Sequence, residues 1–217
     1  ASQSRSPFIK GTVGQWGYQQ LSFLANNDSN ALSASISHDG GYRDESGFKQ
    51  QKVSFSNLTE YQGVDIESTV TATNLNQETA GYVVGKNSYK DRELSKSNPN
   101  PEAYRDAKAL RITQRYDFNN GLMITPFARY SKMEFLQHFL PGKPVEKNQH
   151  YSFGVQTQYQ FMYSPDLRID VGLDIESANI SLLEEQAKPT EGSAFLMATI
   201  PEGKHYDYQV DALTLAG

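Results

Sequence analysis

The sequence predicts an all-β chain: an antiparallel up-and-down meander forming part of a transmembrane β-barrel. Three observations predict it. Several segments alternate apolar and polar residues with a period of two, which puts one kind of side chain on each face of a strand. The connections between those segments alternate short and long, so every long one leaves from the same rim. Aromatic residues, 13 Tyr, 11 Phe and one Trp among 217 residues, crowd the segment ends, where an apolar-to-water boundary suits a ring with a polar tip.

The elements follow in order. Gly11 to Ala25 is irregular but carries Trp16, Tyr18 and Phe23, so it reads as the first strand. Leu32, Ala34 and Ile36 then alternate with Ser33, Ser35 and Ser37, and Val53 and Phe55 with Ser54 and Ser56. From Val64 to Thr73, Val64, Ile66, Val70 and Ala72 oppose Asp65, Glu67, Thr69, Thr71 and Thr73. Asp106 to Asp117 and Leu122 to Phe135 are less regular, yet their Tyr, Phe and β-branched residues favour strand over helix. Tyr151, Phe153, Val155, Tyr159 and Phe161 alternate with Ser152, Gly154, Gln156, Gln158 and Gln160. Leu167, Ile169, Val171, Leu173 and Ile175 alternate without a fault with Arg168, Asp170, Gly172, Asp174 and Glu176. The apolar five are therefore predicted to face lipid. His205 to Leu215 completes about nine strands.

Short connections fall at 26 to 30, 58 to 63, 117 to 121 and 162 to 166. Long ones fall at about 38 to 50, 77 to 105, 136 to 148 and 179 to 204. Compact soluble domains rarely hold loops beyond about 12 to 15 residues, whereas outer-membrane barrels carry short turns on one side and long loops on the other. The face opposite the apolar one carries Arg, Asp, Glu, Gln and Ser in rows, as a wet lumen requires. Closure into a barrel removes the sheet edges that hydrocarbon cannot solvate. An odd strand number cannot close a bacterial single-chain barrel, so the expectation is that residues 1–217 are a partial barrel domain. A complete eight-stranded barrel ranks second. A soluble or surface-attached all-β binding or adhesion module is the alternative from another class.

Composition excludes several functions. There is no Cys, so no disulfide scaffold, thiolate metal site or Cys nucleophile. A net charge of -5 gives no footprint for nucleic acid. Mean hydropathy is -0.62, and no apolar run reaches the length of a membrane-spanning helix. The four His, at 38, 138, 150 and 205, have no metal-ligand spacing, so neither a metal nor another cofactor is expected. Gly81 to Asn87 has the wrong glycine spacing for a phosphate loop. Asp170, Asp174 and Glu176 share one strand face, where a wet lining accounts for them better than acid–base catalysis. No enzyme is expected. Pro99 and Pro101 precede Glu102 to Ala107, which reads as a short helix inside the longest loop.

The stretches 32–48 (LSASISHDGGYRDESGF), 75–85 (LNQETAGYVVG), 98–107 (NPNPEAYRDA), 124–131 (ITPFARYS) and 134–142 (EFLQHFLPG) resemble the β-barrel part of TonB-dependent outer-membrane receptors. The resemblance covers most of the chain. It implies a 22-stranded barrel in a Gram-negative outer membrane, filled by an N-terminal plug and energised through the TonB complex. The plug and the TonB box are not visible here. The implied function is energy-coupled uptake of a scarce nutrient such as an iron–siderophore chelate, with membrane lipid, the TonB complex and the nutrient as partners. In such receptors, strand tops and long loops capture the ligand, which points to Tyr89, Tyr104, Arg105, Arg129, Gln137 and His138. Arg offers a two-pronged fork to oxyanions, and Tyr a flat surface with a hydrogen-bonding tip.

Overall fold

The structure is a computed structural model that describes residues 6–190 and 200–217. It contains one antiparallel sheet in strict sequence order, β1-β2-β3-β4-β5-β6-β7-β8-β9-β10. The strands are β1 (Phe8–Val13), β2 (Gln19–Asn26), β3 (Asn30–Asp39), β4 (Phe48–Tyr61), β5 (Val64–Glu78), β6 (Tyr104–Asp117), β7 (Leu122–Leu136), β8 (Val145–Ser164), β9 (Leu167–Gln186) and β10 (Gly203–Ala216). The meander is as expected, but the described residues form ten strands, not nine. The segment Gly11 to Ala25 is two strands, parted by a 3-10 turn at Gln15–Gly17. Trp16 sits there at φ 54 and Gly17 at φ 77, a left-handed pair that reverses the chain. The sheet is open, with β1 at one edge and β10 at the other, so it is not a closed eight-stranded barrel.

The alternating loop lengths survive, with corrected bounds. The tight rim carries 27–29, 62–63, 118–121 and 165–166, and the opposite rim 14–18, 40–47, 79–103, 137–144 and 187–202. Gln62 (φ 53) and Gly63 (φ 78) form a two-residue reversal whose twist matches the flanking strands. Two of the expected long loops shrink because β3, β4, β7 and β8 run on past their apolar stretches. Residues 179–186, expected in a loop, extend β9 instead. The expected helix at Glu102 to Ala107 is absent. Ala103 N–H donates to Asn100 O in a turn, and β6 begins at Tyr104.

Register assigns every side chain to a face. On one face, Ala25, Leu32, Phe55, Val70, Ile112, Ala128, Phe153, Ser177 and Leu213 follow one another across β2 to β10. Leu167, Ile169, Val171, Leu173 and Ile175 lie on this same face, with Ile175 opposite Val155 and Leu215, and Val171 opposite Tyr159. On the other face the parallel row reads Ser33, Ser54, Thr71, Arg111, Arg129, Ser152, Ala178 and Ala212.

Among the described residues no second layer covers the apolar face. The buried apolar side chains among them are Ala103, Phe127 and Pro144, while Phe153 is 68% and Leu213 77% exposed. A soluble domain of this size buries its apolar face in a core. Toward the long-loop rim the same face turns polar: Gln19, His38, Lys49, Asn76, Asp106, Glu134 and Lys147 follow one another from β2 to β8. The ring pair Tyr130–Tyr151, with centroids 5.1 Å apart, marks the change.

Candidate functional site

The polar wall of β5 to β9 holds the densest chemistry. Register sets Arg111 of β6 directly opposite Arg129 of β7. Beyond them lie Thr71 on β5 and Ser152 on β8. Thr71, Thr73, Arg111, Arg129, Ser131 and His150 surround an open hollow of about 370 Å³. A second hollow, of about 360 Å³, lies nearer the tight rim between Met123, Thr125, Gln156, Gln158, Asp170 and Asp174. The wall is thus basic on β6 and β7 and acidic on β9.

Arg129 is held in place from two sides. Its guanidinium lies 4.3 Å over the Phe127 ring, and Nη1 is 3.6 Å from Glu176 Oε1. Phe127, only 9% exposed, lies flat across Gly154 of the neighbouring strand. A Cβ at Gly154 would meet Phe127 Cζ at 2.6 Å and Ile175 O at 2.4 Å, so the glycine is what admits the ring. Lower on the wall, Arg115 pairs with Glu67 at 3.2 Å.

A second constellation sits at the long-loop rim. The Gln137 amide Nε2 donates to Glu146 Oε2 at 2.8 Å and to Glu184 Oε2 at 3.0 Å. Asn148 Nδ2 donates to Glu146 Oε1 at 3.0 Å. His205 Nδ1 stands 3.3 Å from Glu184 Oε1, and its Nε2 stands 3.1 Å from Pro201 O. Glu146 and Glu184 are direct partners across β8 and β9, and the one amide bridging them ties the 137–144 loop to both strands. Glu146 and Glu184 escaped the sequence reading, and His205 entered it only as a histidine without metal-ligand spacing. They lie far apart in the chain, and the bulge between Lys204 and Tyr206 that seats His205 leaves no mark in the residue pattern.

The six predicted ligand residues do not form one site. Arg105 and Arg129 share the polar face. Arg105 stands opposite Gln77 and Phe135, its guanidinium 5.8 Å from the Phe135 ring centroid. Tyr104 starts β6 on the other face, donating through its hydroxyl to Glu134 Oε1 at 2.8 Å. Tyr89 is 73% exposed in the 3-10 turn Ser88–Lys90 of the longest loop, with Lys90 Nζ 5.7 Å from its ring. Gln137 is buried and spent on the two glutamates. His138 packs edge to face on Phe139 at 5.6 Å, and its Nδ1 is buried without a partner. Among the described residues no group of three or more His, Asp or Glu is placed to hold a metal ion.

The loops over β3 to β6 are knitted together. Arg43 donates through Nε and Nη2 to Ser97 O at 3.0 and 2.7 Å, and Asn98 Nδ2 donates to Glu45 O at 2.9 Å. Glu102 and Lys143 form an ion pair between the 79–103 and 137–144 loops. The Lys143 hydrogen bond, then Glu102's own backbone N–H, hold this carboxyl below its usual range.

The fold defines an all-β class: an open ten-stranded antiparallel meander, consistent with part of a β-barrel. The chain matches no family model and no curated protein. Among solved structures it is similar to the ferric-catecholate import receptor Fiu from E. coli K12, open form, with a TM-score of 0.48 and 10% identity. That alignment covers 98% of this chain and 51% of that one, so the chain spans about half the receptor's length. A likeness this distant carries no argument about ligand or partner.

Proposed function

We propose that this chain is part of the barrel wall of a TonB-dependent receptor in a Gram-negative outer membrane, serving energy-coupled uptake of a scarce nutrient such as an iron–siderophore chelate. The observation that carries the membrane reading is the uncovered apolar face, continuous across the sheet and bounded by polar strand tops on the long-loop side. On β9 the run Leu167 to Ile175 spans about 27 Å at about 3.4 Å per residue. At a tilt near 40° this is about 20 Å of depth, close to the roughly 25 Å apolar band of such barrels. Lipid then covers what no second layer covers, and the polar face lines a wet lumen. Further strands pair with the edges of β1 and β10, because an unpaired edge in hydrocarbon is too costly.

The nutrient class rests on the sequence resemblance. On this reading the chain does no covalent chemistry. Tyr89 and His138 at the rim, with Arg105 and Arg129 on the wall, make ligand contacts, while Gln137 shapes the loop beside them and Tyr104, on the outer face, anchors the top of β6 to Glu134. Spin labels at Val155, Val171, Gln156 and Asp174 test the membrane reading. In bilayers, a lipid-soluble quencher should relax labels at 155 and 171, and an aqueous one those at 156 and 174. Aqueous access to 155 and 171 equal to that at 156 and 174 defeats it in favour of a water-soluble module. Uptake of iron chelates by cells with and without the gene, under iron limitation, tests the nutrient.

A further inference from the structure

Arg111 and Arg129 face each other across β6 and β7, an arrangement in which like charges destabilise the strand pair. Their surroundings do not balance them equally. Arg129 has Glu176, whereas Arg111 makes no ion pair among the described residues. Its direct partners are Thr71 on one side and Arg129 on the other. Lys52 and His150 add further basic groups in the next row up, on β4 and β8. Among the described residues the acid in the adjoining row is Glu176, one row below, and it is already engaged by Arg129.

Two further observations point to a missing acceptor. The basic hollow is lined by hydroxyl donors, Thr71, Thr73 and Ser131. Ser152, directly across from Arg129, is 4% exposed, and its hydroxyl has no hydrogen-bond partner among the described residues. The two guanidiniums can only donate, and a buried polar group left unpaired is rare. One ligand chemistry answers all three features: a compact oxyanion, which accepts from both guanidiniums, screens their repulsion and takes hydroxyl protons.

We propose that Arg111 and Arg129 form a two-armed binding site for the carboxylate or phosphate group of a small molecule, on the polar wall, one residue below the level at which Tyr130 and Tyr151 pair on the opposite face. The proposal rests on the reading of this face as wet, and it adds to that reading an anionic group that the wall itself recognises. Phe127 fixes one arm, and the arm of Arg111 is free to close on the ligand. The hydroxyls of Thr71 and Ser131 flank the bound oxygens.

Titration of the full chain in detergent micelles at low salt, with inorganic phosphate and separately with acetate, tests the site. Amide chemical shifts of β6 and β7 serve as the readout. Saturable binding of at least one anion is expected, weakened at least ten-fold in Arg111→Gln and less in Arg111→Lys, which keeps charge but loses the fork. Which anion binds more tightly distinguishes phosphate from carboxylate. Ligand-free Arg111→Gln should unfold no earlier than the parent, since the change removes repulsion. Saturation absent for both anions, or affinity unchanged in Arg111→Gln, overturns the site. An Arg111→Gln variant that unfolds early and binds normally assigns Arg111 a structural role instead. Because the quencher pattern at 155, 156, 171 and 174 is measured without any anion, failure of the site and failure of the membrane reading are separable.

Discussion

The two halves of β9 obey different rules on one continuous backbone. From Leu167 to Ile175 every odd residue is apolar, and the opposite face holds Arg168, Asp170, Asp174 and Glu176. From Ser177 upward the first face carries Asn179 and Ser181, and the second carries Ala178, Ile180 and Leu182. Pairing continues unbroken through the change, from Ile175 opposite Val155 to Ser181 opposite Gln149. The strand has not slipped; its surroundings have changed. The difference teaches that the lower half pairs an uncovered apolar face with a polar one, as the proposed membrane placement requires, whereas the upper half carries polar residues on the first face and turns its apolar ones to the other.

A charge placed in each half gives the sharpest break of that comparison. In the lipid-reconstituted chain, Val171→Arg is expected to cost about 2–4 kcal/mol in denaturant unfolding, and Asn179→Arg less than about 0.5 kcal/mol. Equal small losses would place both halves in water. A smaller effect, confined to the upper half, is expected from Gln137→Leu, which leaves Glu146 and Glu184 without their shared donor. The cost is about 1–3 kcal/mol, and hydrogen exchange should quicken at 137–144 and at the top of β9 while the lower half keeps its protection. The smallest effect belongs to the loops. Because Lys143 depresses the Glu102 pKa, this pair contributes above the carboxyl's unfolded pKa and is lost as pH falls through the folded one. Both groups are nearly half exposed, so the loss is at most about 0.5 kcal/mol. Stability of Glu102→Gln should therefore match the parent below that window and fall slightly short above it.

What the residue order disclosed follows the same division. Strand β9 below Ile175 and β8 from Tyr151 to Phe161 were legible because one face is apolar and the other polar throughout, and alternation records that segregation directly. Beyond those points the faces are no longer segregated, alternation fades, and residues 179–186 looked like loop although they remain paired. The reversal at Trp16 was hidden because a non-glycine residue takes the left-handed conformation there. The direct opposition of Arg111 and Arg129 was out of reach, since it depends on register between β6 and β7. The bridge from Gln137 to Glu146 and Glu184 was equally invisible: it joins a loop to two strands at widely separated chain positions.

The notch at Gly154 has a consequence for how fast and how selectively the wall can grip anything. By admitting the Phe127 ring, it gives the Arg129 guanidinium a flat rest and spares that arm the rotamer search that a free arginine must abandon on engagement. A methyl group at position 154 would lift the ring and set the arm loose. The absence of one carbon atom on β8 thus governs the preorganisation of a cation on β7.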